Sequence, residues 1–330
     1  MPNLCSLTKR LIFAFVAASG GSETEALILA RSIRAFAGEF SDNPIWVLIP
    51  ETEDNISEVI RKELVSLNAR LVPFKMNRAA SRFPFAAKVF ASATAESLAD
   101  GQTDFLVWMD SDSIVIHEPK ELLLRDGKDL GYRPVDHTLI GSSYDGPIDS
   151  FWELIYRKCN VPEGRLFPMT ASVDENRIRP YFNAGLLVVR PERGLLQLWR
   201  DNFDRLYRET CFEEFYRQDA LYRIFIHQAV LAATILSSMD RQEIQELSHL
   251  INYPLHMHAD YPADRRPEYM NELITCRYDV FFQDPNWRQI LPIKEPLKGW
   301  LTKQLSTWSA VESAEDTHQN NIGDGEDDSD

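Results

Sequence analysis

Short apolar runs alternate with amphipathic helical spacing over the first third of the chain. Residues 11–18 (LIFAFVAA) form a continuous apolar run of strand length, the pattern of a strand covered on both faces. Ser19-Gly20-Gly21 predicts a turn, and Ser22 with Glu25 an S-x-x-E capping box. Ala26, Leu29, Ala30, Ile33 and Ala37 then follow helical spacing. Residues 44–50 (PIWVLIP) predict a second strand, Ile56, Val59, Ile60 and Leu64 a second helix, and 70–74 a short third strand. Phe85, Val89, Ala93 and Leu98 mark a third helix, which ends near Asp100-Gly101. Residues 105–109 (FLVWM) make another fully apolar strand, which runs into Asp110-Ser111-Asp112.

A β-α-β-α-β-α-β order predicts a parallel sheet with helices on both faces. Ligands of such sheets bind beyond the carboxyl ends of the strands, here Ala17 to Gly20 and Asp110 to Ser113. Past residue 116 the pattern becomes mixed. Residues 181–190 (YFNAGLLVVR) predict a strand, and 194–208 a helix with Leu195, Leu198, Trp199, Phe203 and Leu206 on one side. Residues 226–236 (IHQAVLAATIL) predict an apolar helix, and 251–258 (INYPLHMH) a late strand carrying two histidines. There is neither an internal repeat nor a Gly-rich phosphate loop of the G-x-x-x-x-G-K or G-x-G-x-x-G type.

Composition narrows the function. The 330 residues are 44% hydrophobic and 26% charged, as in a globular chain, and carry a net charge of −15 from 35 basic and 50 acidic residues. Residues 312–330 hold eight of the carboxylates and no Lys or Arg, so 309–330 is expected to be a disordered acidic tail, with −7 left on the remainder. This balance argues against nucleic-acid binding, and an anionic substrate needs local cations. Cys5, Cys159, Cys211 and Cys276 match neither zinc-ligand nor C-x-x-C spacing and read as free thiols. No run reaches the length of a membrane span. Lys9-Arg10 before the first apolar run has the outline of a short signal peptide. The turn and helix that follow at once favour a buried strand, and the expected compartment is cytoplasmic.

The informative chemistry is FLVWMDSDS. Two carboxylates at i and i+2 on the end of a buried strand need a reason to sit there, and a divalent cation, Mn²⁺ or Mg²⁺, supplies one. Haloacid-dehalogenase-type phosphatases and nucleotide-sugar glycosyltransferases both use such a pair. The phosphatase pair ends a first strand, whereas here three βα units come first.

The chain thus resembles the GT-A glycosyltransferases, especially the family-eight, glycogenin-like and galactosyltransferase-like branch, over roughly residues 10 to 260. VWMDSDS is similar to the family's D-x-D strand, YFNAGLLVV to its F-N-[SA]-G strand, HQAVLAA to its [DN]-Q-x-x-L-[NA] helix, and INYPLHMH to its late metal-histidine strand. The resemblance implies an α/β GT-A domain over 1–308, Rossmann-like, with a mostly parallel central sheet and helices on both faces. Its nucleotide-binding half is 10–116 and its mixed acceptor half 117–308. It implies an enzyme of the hexosyltransferase type with a nucleoside-diphosphate sugar donor, a UDP-sugar foremost, and leaves the acceptor open.

Asp110 and Asp112, with His258 or His256, are the implied metal ligands; as i and i+2 on a strand, the two histidines share one side. Ala17, Ala18, Ser19, Lys88, Asp110 and Ser111 are the implied donor contacts, with Asn183, Ala184 and Gly185 on the sugar and acceptor side. Gln228, Asn183 and Asp219 are the catalytic candidates. Asp219 enters because His227 stands where an acidic residue is usual, and a placed carboxylate would serve an inverting reaction. The family's ending, His-x-x-Gly-x-x-Lys-Pro-Trp, is missing; Lys294 or Lys298 is the substitute basic contact. A D-x-D phosphatase with Asp110 as nucleophile and a non-catalytic GT-A-like binding protein are the alternatives.

Overall fold

A computed structural model describes residues 10–18, 21–51 and 56–306. The acidic tail, Cys5 and Ser19-Gly20 lie outside the described residues. The first half alternates as the sequence predicts: β1 (Leu11–Val16), α1 (Gly21–Phe36), β2 (Ile45–Pro50), α2 (Glu58–Ser66), β3 (Ala69–Phe74), α3 (Ala86–Ala99) and β4 (Phe105–Met109). There follow β5 (Ser113–Val115), β6 (Leu130–Pro134), α4 (Ser150–Lys158), β7 (Met169–Thr170), β8 (Arg177–Ile178) and β9 (Phe182–Val189). After these come α5 (Leu195–Leu206), α6 (Glu213–Gln218), α7 (Ala220–Ser238), β10 (Ile244–Glu246), β11 (Tyr253–Pro254), β12 (Thr275–Arg277), α8 (Trp287–Ile290) and α9 (297–306).

Seven strands form one sheet in the order β10-β6-β9-β4-β1-β2-β3. All pairs are parallel except those of β9, which runs against both β4 and β6. Alternation along the strands builds two cores. Ile12, Ala14, Leu106, Trp108, Leu187 and Val189 face one side with α3, α5 and α7. Leu11, Phe13, Phe15, Val107, Leu186 and Val188 face the other with α1. This two-sided burial explains why β1, β4 and β9 read as unbroken apolar runs. A third core lies around the small sheet β11-β12-β5.

Three local expectations change. Ser22 and Glu25 fall inside α1, and Glu25 accepts a hydrogen bond from Ser111 Oγ (3.1 Å) instead of closing a capping box. The apolar helix predicted over 226–236 extends over 220–238 and is long and apolar enough to cross a membrane, yet residues 226–236 are buried in the core. The late strand ends at Pro254, because Leu255–Met257 turns into a 3₁₀-helix.

Helix α5 begins at Gly194 with no side-chain cap. Glu96 of α3 supplies one from outside, accepting from Leu196 N (3.0 Å) and Gln197 N (2.8 Å). Burial pushes Glu96 up to about 7, and these N–H groups act against that rise. Glu96→Ala would leave buried amide donors at a helix start unsatisfied, and should lower unfolding free energy by about 1–3 kcal/mol in urea titrations near neutral pH.

Candidate active site

The D-x-D turn leaves the sheet beside the amino end of β9, where Asp110 N donates to Gly185 O (2.8 Å). The antiparallel register pairs Met109 with Leu186, so Asp110 lies across from Gly185. A β-carbon at 185 would sit 2.8 Å from Asp110 Oδ2 and 2.9 Å from Asn183 Oδ1. The position admits the carboxylate only because it is glycine. Asn183 Oδ1 in turn accepts from Gly185 N (2.7 Å), which fixes the start of the strand.

Two cavities meet at this lip. The outer one, of about 540 Å³, lies between the end of β1, the start of α1 and the D-x-D turn, and is lined by Val16, Ala18, Ser22, Glu25, Ser111 and Val280. The inner one, of about 260 Å³, is lined by Asp136, Asn183, Gly185, His227, Gln228, His256 and Arg277. Phe85, Lys88, Asp110, Asp112 and Asp279 border both.

Lys88 Nζ lies 2.7 and 2.8 Å from the two carboxylate oxygens of Asp110, with both side chains largely buried. Arg277 Nη2 donates to Asp136 Oδ2 (2.7 Å), and its Nη1 lies 3.4 Å from Asn183 Oδ1. Asn183 Nδ2 also donates to Asp136 (3.2 Å). Burial works against the charge of Arg277, but Asp136, Asp112 and Asp110 hold its pKa above the ordinary value. Asp112 is pushed up to about 7, first by burial and then by the Asp110 charge. Glu25 is raised by burial, and Asp110 and Asp279 add to the rise. The lip therefore holds more carboxylate charge than its two cations, Lys88 and Arg277, can neutralise.

A glycosyltransferase domain model, the Rhodobacterales glycosyltransferase domain, matches residues 13–238. The chain belongs to this glycosyltransferase family. No curated protein matches the sequence significantly. Solved structures similar to this glycosyltransferase include the galactosyltransferase LgtC in complex with donor and acceptor sugar analogues, at 15% identity and a TM-score of 0.45, covering 91% of this chain and 95% of that one. The bifunctional glycosyltransferase WbbM is 16% identical, with a TM-score of 0.49 over 84% of this chain and 47% of that one. Mouse xyloside xylosyltransferase 1 is 14% identical, with a TM-score of 0.44 over 82% and 97%. Family membership and the sheet agree with the GT-A α/β class expected from the sequence, and the family leaves no place for the phosphatase alternative.

The glycosyltransferase brings together Ala18, Lys88, Asp110, Ser111, Asp112, Asn183, Gly185, Gln228 and His256 around the two cavities. Gln228 Oε1 accepts from Ala184 N (3.3 Å), and the Ala184 side chain is in the core. Ala17 also faces the core, since alternation turns Val16 and Ala18 to the cleft and Ala17 away. Ser19 lies outside the described residues.

Three expectations are corrected by geometry. Asp219 is the exposed N-cap of α7, accepting from Leu221 N (2.8 Å), and lines neither cavity. His256 and His258 do not share a side, because a 3₁₀ turn rather than a strand carries them. His258 Nδ1 is 2.9 Å from Tyr253 OH in the small-sheet core, whereas His256 lines the inner cavity with Nε2 4.0 Å from Asp279. Lys294 and Lys298 also lie away from both cavities; the Lys294 ammonium sits over the Tyr269 ring, 3.3 Å from its centre.

His227 packs against Phe85, with ring centres 5.2 Å apart. Burial first, and the Lys88 charge second, lower its pKa to about 3, so it is a neutral wall of the inner cavity. Sequence reading missed Glu25, Phe85, Asp136, Arg277 and Asp279. Glu25 carried a capping signal and Phe85 a helical one, and the other three carried none.

Two substitutions test this geometry. Gly185→Ala should leave the fold intact by circular dichroism but displace Asp110, and the glycosyl-transfer rate should fall at least about tenfold, equivalent to about 1.4 kcal/mol. Asp219→Ala should lower unfolding free energy by about 1 kcal/mol and leave transfer rates unchanged.

Proposed function

We propose that this glycosyltransferase moves a sugar from a nucleoside-diphosphate donor, with a UDP-sugar as first candidate, to an acceptor that enters through the inner cavity. The observation that carries this reading is the shared wall. Lys88, Asp110 and Asp112 lie at the carboxyl ends of the strands, between a larger cavity of nucleotide scale and a smaller one lined by the amides of Asn183 and Gln228. The outer cavity falls within the roughly 300–1,000 Å³ of small-molecule sites.

The carboxylate pair fits a divalent cation. Asp112 is raised by burial and like charge, the condition that a bound cation relieves. Among the described residues no three His, Cys, Asp or Glu side chains converge to hold a metal alone. Mg²⁺ suits such a site because it is commonly held by one or two carboxylates, with substrate phosphate and water completing its shell. An imidazole ligand would favour Mn²⁺, but His258 is held by Tyr253 in the small-sheet core and does not offer one there. Asp110 and Asp112 would hold the ion, and when bound it supplies Lewis-acid stabilisation to the departing diphosphate.

The chain's own groups do the rest. Lys88 fixes the Asp110 carboxylate and places an ammonium at the wall where leaving-group charge accumulates. Gln228 and Asn183 hold the backbone of β9 at the floor of the inner cavity and offer amides to sugar hydroxyls. Arg277 locks Asp136 and Asn183 in place before any substrate arrives. Neutral His227 with Phe85 gives that cavity an apolar side.

The test is a thermal-shift panel of nucleoside diphosphates with and without Mg²⁺ or Mn²⁺. One base should stabilise the protein, and the shift should require the cation. Asp112→Asn should remove the cation requirement together with at least about tenfold of the affinity, while unfolding remains cooperative. Equal shifts from every nucleotide, or a shift undiminished in Asp112→Asn, would overturn the assignment.

A further inference from the structure

Away from the transfer cleft, a cavity of about 240 Å³ opens at the far edge of the sheet, where β6 and β10 end. Three guanidinium groups from separate segments line it: Arg133 of β6, Arg241 from the turn after α7, and Arg265 from the turn after β11. Among the described residues lining it Glu246 is the carboxylate, 3.6 Å from Arg133. On a chain with a net charge of −15 this is a local reversal of sign.

The groups are held in place before any ligand arrives. Arg133, with 7% of its side chain exposed, donates from Nη1 to Leu247 O (2.8 Å) and from Nη2 to Ser172 Oγ (3.2 Å). Ser172 accepts there, which leaves its own hydroxyl proton to donate. Arg241 lies over the Phe167 ring, 4.4 Å from its centre, and Glu175 anchors Arg265 at 2.8 Å. Tyr132 also lines the cavity, and its buried hydroxyl makes no hydrogen bond of good geometry although Arg241 is near. A buried guanidinium with a single, half-exposed carboxylate partner is undercompensated. Planar guanidinium forks match the oxygens of phosphate and carboxylate.

We propose that this cavity is a binding site for a small anion of the phosphate or carboxylate class, separate from the donor site. It shares no lining residue with the transfer cleft, and it is below the size of nucleotide-scale pockets. The run Pro134-Val135-Asp136 carries the chain from this cavity into the inner chamber. The anion therefore comes from one of two sources, an acidic group on a carbohydrate that reaches across the sheet edge or a free anion. The assignment does not depend on the transferase reading.

Thermal unfolding of the full chain at constant ionic strength tests it, with about 10 mM inorganic phosphate compared with chloride. Phosphate should raise Tm by about 2 °C in the wild type. Arg241→Gln and Arg241→Gln/Arg265→Gln should lose this shift while keeping the wild-type circular dichroism. Arg241→Lys should retain part of it. Arg133 is left intact, because its backbone bond also holds the fold. No shift beyond chloride overturns the site, and so does an equal shift in the double variant, which would place phosphate elsewhere. Glucose 6-phosphate and glucuronate at the same concentration separate the sources. A larger shift than with inorganic phosphate supports the sugar-borne acid, and an equal or smaller one supports the free anion.

Discussion

The hydrogen bond from Asp110 N to Gly185 O is the constraint on which the site depends. It exists because β9 runs against both its neighbours in the seven-stranded sheet, bringing the start of one strand to the end of another. That reversal places two motifs about 75 residues apart, D-x-D and F-N-A-G, across one backbone contact. The missing β-carbon at 185 leaves room for the Asp110 carboxylate, and Lys88 then fixes both of its oxygens. Each element is ordinary alone, and the site arises from their register.

Charge follows from that placement. Among the described residues, Glu25, Asp110, Asp112, Asp136 and Asp279 gather at the lip with Lys88 and Arg277 as the cations that face them, in a protein that is itself acidic. Burial first and this like charge after it raise the Asp112 and Glu25 carboxyls, and Asp136, Asp112 and Asp110 hold Arg277 raised against its burial. Carboxylates gathered in this way favour ligands that bring positive charge with them. The proposed donor together with a divalent cation would meet that condition, and an anion alone would not.

How much of this was legible in the sequence varies with the range of the interaction. β1, β2 and β4 matched their apolar runs within a residue or two, because two-sided burial writes itself into the local pattern. Lys88, Asp110, Asn183 and Gln228 were found because each lies in or beside an ordered motif. Glu25 was misread because a capping box and a cleft acid look alike until the strand opposite is placed. Asp136 and Arg277 left no mark at all, since each has meaning only through the other across 141 residues. The histidines failed for a local reason. Pro254 ends the strand and a 3₁₀ turn follows, so a period of two no longer applied.

An acidic chain that handles anionic ligands must supply compensating charge, and the fold offers two different means. At the D-x-D lip the fixed groups are mainly carboxylates, so under the proposed function compensation would arrive with the donor. At the β6–β10 edge the compensation is built in as guanidinium groups, held by Leu247, Ser172, Phe167 and Glu175. An exchangeable cation would suit the diphosphate of the proposed donor, which is released at each turnover. Fixed guanidinium forks suit an anion that is recognised without being changed. The two cavities thus differ in sign, carboxylate-rich at the D-x-D lip and guanidinium-rich at the β6–β10 edge.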